Sequence, residues 1–160
     1  MRRIAHIASA GLLGLVFVAP AAIVVLEPGV ARADSTAILQ IAAVLASKER
    51  GNFDPRLEPL RADLRSLPFR SYALLATQTC TVASGDQCGM NVPSNGFLQV
   101  TTTESTKSHL KLRLLLNQGN RPVVNADLKL NRNAGILIKS SRTEGGTVLI
   151  SIKTSPAPAQ

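Results

Sequence analysis

The chain has 160 residues, 18 of them basic and ten acidic, for a formal net charge of +8, with two cysteines, one tyrosine and no tryptophan. That length holds one domain with one core once a leader is set aside. Without aromatic residues interleaved among the basic ones, a surface that stacks single-stranded nucleic acid is not supported, and the lack of any cluster of His, Cys, Asp and Glu argues against a metal centre.

Arg2 and Arg3, the apolar stretch from Ile7 to Leu26 and the small-x-small triplet Ala31-Arg32-Ala33 are the three parts of a secretory signal peptide, cleaved before Asp34. The competing reading is an uncleaved anchor, since about 20 mostly apolar residues can span a bilayer. Pro20, Pro28 and Gly29 interrupt the stretch and favour cleavage. We therefore expect residues 1–33 to be a signal peptide, residues 34–154 a single domain and residues 155–160 a disordered tail. The protein would be periplasmic or secreted, with no stable membrane span after cleavage. Its charge is uneven: residues 34–94 hold six basic and six acidic residues, whereas residues 95–160 hold nine and three. A basic surface on an exported chain suits an anionic envelope component or a protein partner rather than nucleic acid.

Ser35 to Lys48 is core in either of two forms. Its alanine and leucine content suits a helix capped by Asp34 or Ser35, yet Ile38, Leu39, Ile41, Val44 and Leu45 also read as a buried strand. Next, Asp54 can cap a helix and Pro55 suits its first position, where the missing N–H costs nothing. Leu57, Leu60, Leu64 and Leu67 follow at spacings of three, four and three, which puts them on one stripe. Pro59 cannot donate to the carbonyl of Pro55, so the first turn should be irregular or the helix should begin near Pro59. Pro68 ends it.

From there the pattern is strand after strand. Phe69–Val82 is rich in β-formers with imperfect alternation, and Gln87–Val92 is placed to return antiparallel to it. Phe97–Thr103 is a further strand. In Ser108–Leu116, Leu110, Leu112, Leu114 and Leu116 alternate with Lys111, Arg113 and Leu115, the clearest half-buried strand in the chain. Val124–Leu130, Ile136–Ser140 and Thr147–Lys153 complete a series of short strands separated by turns. The predicted fold class is α+β, with a short N-terminal helix at Asp54–Leu67 packed on an antiparallel sheet or small β-sandwich.

Taken together, Ala46 and Ser47, Asp54, Pro55 and Leu57, then Ser71, Tyr72, Leu74 and Leu75, ahead of a basic strand meander, resemble a set of small exported proteins of Gram-negative bacteria. The resemblance spans most of the chain after residue 33. It implies that Ser35–Ala46 is a strand, and it implies no activity.

Cys80 and Cys88 are centred on Ser84. A hairpin pairing them leaves a three-residue loop whose last residue, Gly85, can adopt the left-handed conformation. In an oxidising compartment such a pair forms a disulfide. His109 is the lone histidine after the leader, with no GxSxG elbow to supply a nucleophile, so no catalytic residue, metal ligand or cofactor is assigned. Lys111, Arg113, Lys129, Lys139 and Lys153 all fall at non-core positions of their strands. If those strands share one sheet, the five form a cationic outer surface for an anionic ligand. The function expected is that of a non-enzymatic binding or assembly module of the envelope; the alternative is a small exported hydrolase.

Overall fold

A computed structural model describes residues 35–156 apart from Ser94. The expected signal peptide, residues 1–33, lies outside the described residues. Eight strands run in chain order: β1 (Ala37–Ser47), β2 (Ser71–Val82), β3 (Gln87–Val92), β4 (Gly96–Ser105), β5 (His109–Gln118), β6 (Arg121–Asn131), β7 (Gly135–Thr143) and β8 (Gly146–Pro156). Between β1 and β2 lies one helical segment, a 3-10 stretch at Pro55–Leu60 leading into α1 (Arg61–Arg65). The strands form two four-stranded antiparallel sheets, sheet A in the order β2-β1-β8-β7 and sheet B in the order β3-β4-β5-β6.

The α+β expectation is thereby overturned: the domain is an all-β sandwich. Its helical segment comprises only six 3-10 and five α residues. The reason sits at Pro59. Without its N–H the first turns close with the tighter hydrogen bonds of a 3-10 helix, and only Arg61–Arg65 is left before Pro68 stops the helix. The capping reading survives, since Asp54 accepts from the Arg56 N–H at 3.0 Å.

Ser35–Lys48, readable either way from its residues, is strand β1, paired on both sides, with β2 and with β8. A central strand packed against the main core on one face and, over its second half, against the helical segment on the other has little solvent side on which to alternate, which is why only the exposed Gln40 interrupts its apolar run. Ala37, Leu39, Ile41 and Ala43 face the main core against Val148, Ile150 and Ile152 of β8 and Leu110, Leu112, Leu114 and Leu116 of β5. Val44 and Ala46 face the other way, into a second cluster with Leu57, Leu60 and Leu64 of the helical segment, Tyr72 and Leu149.

The imperfect alternation of β2 has a structural cause. Ala43 pairs with Ala76 and Val44 with Leu74, so Leu75 is an extra residue, a β-bulge. Tyr72 and Leu74 before it pack in the helix cluster, while Ala76, Cys80 and Val82 after it, at the same parity, pack in the main core. The bulge turns the strand over.

The β2–β3 hairpin expectation also needs correcting. β3 pairs with β4, not β2. The connecting loop gives its hydrogen bonds to β4: Gly85 N–H donates to Thr102 O at 2.7 Å, and Thr102 N–H donates to Asp86 O at 2.8 Å. Gly85 is left-handed as expected, with φ of 90°, but the chain uses the turn to cross from sheet A to sheet B. The disulfide Cys80–Cys88, with Cα atoms 6.2 Å apart, therefore ties the two sheets together. At the other end, β8 continues through Ser155 and Pro156, which pair with Ile38 and Ala37, so these two residues of the expected tail belong to the strand.

Candidate functional site

The five basic residues singled out from the sequence do not share a surface. Lys111, Arg113 and Lys129 lie on β5 and β6, on the exposed outer face of sheet B, whereas Lys139 and Lys153 lie on β7 and β8 of sheet A. Nor are they all free to bind. Lys111 Nζ is 2.6 Å from Glu104, Arg113 Nε is 2.8 Å from Asp127 across the β5–β6 ladder, and Lys153 Nζ is 3.0 Å from Asp63. The Arg113 guanidinium holds the Asp127 carboxyl below its ordinary pKa. Lys153 also donates to the carbonyl of Pro59, so it fastens the helical segment to sheet A.

Lys139 has a different setting. It pairs with Leu149 in the ladder and lies on the outer face of sheet A, at the margin of a cleft of about 420 Å³. Lys48, Glu49, Phe69, Arg142 and Glu144 line the same cleft. Among the described residues, no carboxylate lies within 4.0 Å of the charged groups of Lys48, Lys139 or Arg142, in contrast to the ion pairs elsewhere. Each element brings its residue there for a local reason. Lys48 follows the end of β1, Phe69 follows the turn at Pro68, and Lys139 and Arg142 flank the irregular step in the β7–β8 ladder. Gly146 closes that hairpin with φ of 145°, and a Cβ on it would sit 2.4 Å from the Ala46 carbonyl oxygen. Only glycine lets the hairpin lie this close to β1.

Three other clefts are smaller. One of about 260 Å³ lies beside the 3-10 segment, lined by Arg56, Leu60, Leu74 and Thr79. Another of about 330 Å³ lies between the Arg113–Asp127 pair and Lys129. A third, about 270 Å³, lies between Asp63 and Gly135.

His109 has more neighbours than its sequence context suggested. Its Nε2 is 3.2 Å from Glu104 Oε1, and its Nδ1 is 3.0 Å from Ser108 Oγ and 3.2 Å from Thr106 Oγ1. An acid, an imidazole and a hydroxyl thus lie in line. The same atoms also close the β4–β5 turn, since Thr106 Oγ1 accepts from the His109 N–H at 3.1 Å and the Thr106 N–H donates to His109 O at 2.9 Å. Next to this turn, Arg132 donates to Thr106 O, Thr36 O and Ser35 O, drawing the start of the domain and the β6–β7 turn together. Burial lowers the pKa of its guanidinium.

Among the described residues no group of three or more His, Cys, Asp and Glu is placed to hold a metal ion. No helix there is long and apolar enough to cross a membrane. The disulfide is compatible with an extracytoplasmic location.

No known protein family, curated protein or solved structure matches the chain. The site must be read from its own residues. Of the five basic residues expected to act together, Lys139 alone lines the large cleft, and its companions there, Lys48 and Arg142, were not singled out. Their strand parity carried no signal, because Lys48 lies beyond β1 and the step in β7 shifts Arg142 out of alternation.

Proposed function

We propose that the chain is a periplasmic or secreted, non-enzymatic binding module of the bacterial envelope, and that it takes an anionic group of its partner in the cleft lined by Lys48, Lys139 and Arg142. The observation that carries this reading is that three cations without a carboxylate within 4.0 Å line one cleft. Lys111, Arg113 and Lys153 hold carboxylates of their own chain, and Lys129, also without one among the described residues, stands apart from that group beside the Arg113–Asp127 pair. Arginine there supplies a planar fork that suits a carboxylate or phosphate, with lysines adding point charges. Phe69 gives the cleft an apolar wall, so a ligand with both a charged and an apolar part fits it. The signal-peptide pattern, the disulfide and the resemblance to small exported proteins support the location.

The test is equilibrium binding to two probes, a carboxylate polymer (polygalacturonate) and vesicles containing an anionic phospholipid. A Lys139→Gln, Arg142→Gln double variant should bind its preferred probe at least about tenfold more weakly, roughly 1.4 kcal/mol. A Lys111→Gln, Arg113→Gln variant should bind as the parent does. Equal binding by all three proteins removes the cleft as the site.

The hydrolase reading has the Glu104–His109–Ser108 alignment in its favour. Against it, those residues line none of the clefts described above, and the hydrogen bonds of Thr106 and His109 already serve the turn. Turnover of an activated ester that disappears in Ser108→Ala would reverse this choice.

A further inference from the structure

We propose that β2 pairs edge to edge with β2 of a second copy of the chain, joining the two A sheets into one continuous sheet. A strand at the edge of a sheet offers a row of free backbone groups, and natural proteins guard such edges with charge, proline, bulges or short length. The sandwich has four edge strands: β2 and β7 in sheet A, β3 and β6 in sheet B. Three carry a guard on the edge they leave open, whereas β2 has only its bulge at Leu75, next to its covered first part. β6 holds Arg121, Pro122 and Lys129 and is irregular at Val123. β7 holds Lys139 and Arg142 around its irregular step. β3 is six residues long.

β2 is 12 residues long and contains no charged residue and no proline. Its first part is covered. Asp54 N–H donates to Tyr72 O at 2.9 Å, Tyr72 N–H to Asn52 O at 3.3 Å, and Leu74 N–H to the Asp54 carboxylate at 3.1 Å. Beyond the Leu75 bulge, no strand among the described residues pairs with the free edge. Thr77, Gln78, Thr79 and Thr81 are exposed there, as is Leu75.

The occupant follows from the residues. A two-fold interface requires a surface complementary to itself. Antiparallel pairing about Thr79 sets Thr77 opposite Thr81 of the second copy, and Thr–Thr pairs are favourable across strands. It also brings the exposed Leu75 towards Ala83 of the second copy. No like charges meet, although each chain is strongly basic. The same pairing about the middle of β6 would bring its charged residues and Pro122 into the interface.

Sedimentation equilibrium of the full chain, purified as the cell processes it, tests this. The mass should rise to twice that of one chain at concentrations up to about 0.1 mM. Amide exchange at residues 77–81 should slow over the same range. Thr79→Lys sets two lysines face to face on the axis. That variant should be a monomer with the circular dichroism and thermal midpoint of the parent, and Thr81→Lys serves if it misfolds. Lys129→Gln, on the β6 edge, should dimerise as the parent does. A parent that stays monomeric throughout overturns the proposal, and so does a dimer that persists in both lysine variants.

Discussion

Asp54 links three parts of the chain through one carboxylate. It caps the 3-10 segment through the Arg56 N–H, pairs with the Arg56 guanidinium at 2.8 Å, and accepts from the Leu74 N–H of β2. The Arg56 side-chain hydrogen bond, followed by the two backbone donors, holds its pKa far below the ordinary carboxylate value of 3.8. A group whose pKa is depressed by folding adds stability that is complete well above its unfolded pKa and is lost as pH falls below it. Asp54→Asn should therefore lower the urea midpoint at neutral pH. The gap to the parent should narrow as pH drops below about 3.8. A gap that stays constant down to the lowest pH reached would show that the charge of Asp54 contributes nothing. The cap was legible in the Asp54-Pro55 pair because capping is local. The bond to Leu74 was not, because it depends on where β2 lies 20 residues later.

Between elements, the disulfide carries the clearest expectation. Cys80 lies in β2 and Cys88 in β3, and these strands belong to different sheets. The closed loop is short, so the chain-entropy contribution is about 2.5 kcal/mol. Replacing both cysteines by serine should destabilise the domain by roughly that amount, read from chemical denaturation, and leave the circular dichroism of the folded state unchanged. Sequence spacing gave the pairing of the two cysteines and the left-handed Gly85. It did not give the sheet crossing, which rests on Thr102 of β4 exchanging hydrogen bonds with Gly85 and Asp86. The Leu75 bulge belongs to the same class. It shows in the sequence only as a flaw in alternation, and its meaning becomes clear once β1 is set beside β2.

For the whole molecule, the period-two pattern of Leu110 to Leu116 determined a half-buried strand, and the turn rhythm from residue 96 onward determined an antiparallel β arrangement. Side-chain period in a strand is a local property. The leucine stripe at residues 57–67 was equally legible as a face to be buried. Its weight in the fold was not, because Pro59 confined it to a short cover over one sheet. Strand parity alone set that Lys111, Arg113, Lys129, Lys139 and Lys153 point away from the core. Tertiary structure decided which of them meet: it placed Lys111, Arg113 and Lys129 on one sheet and Lys139 and Lys153 on the other, and supplied Glu104, Asp127 and Asp63 as partners for three of the five. The physical reason is that strand parity assigns a side chain to a face, while the identity of that face, and the charges across it, depend on strand order, which arises from contacts distant in sequence.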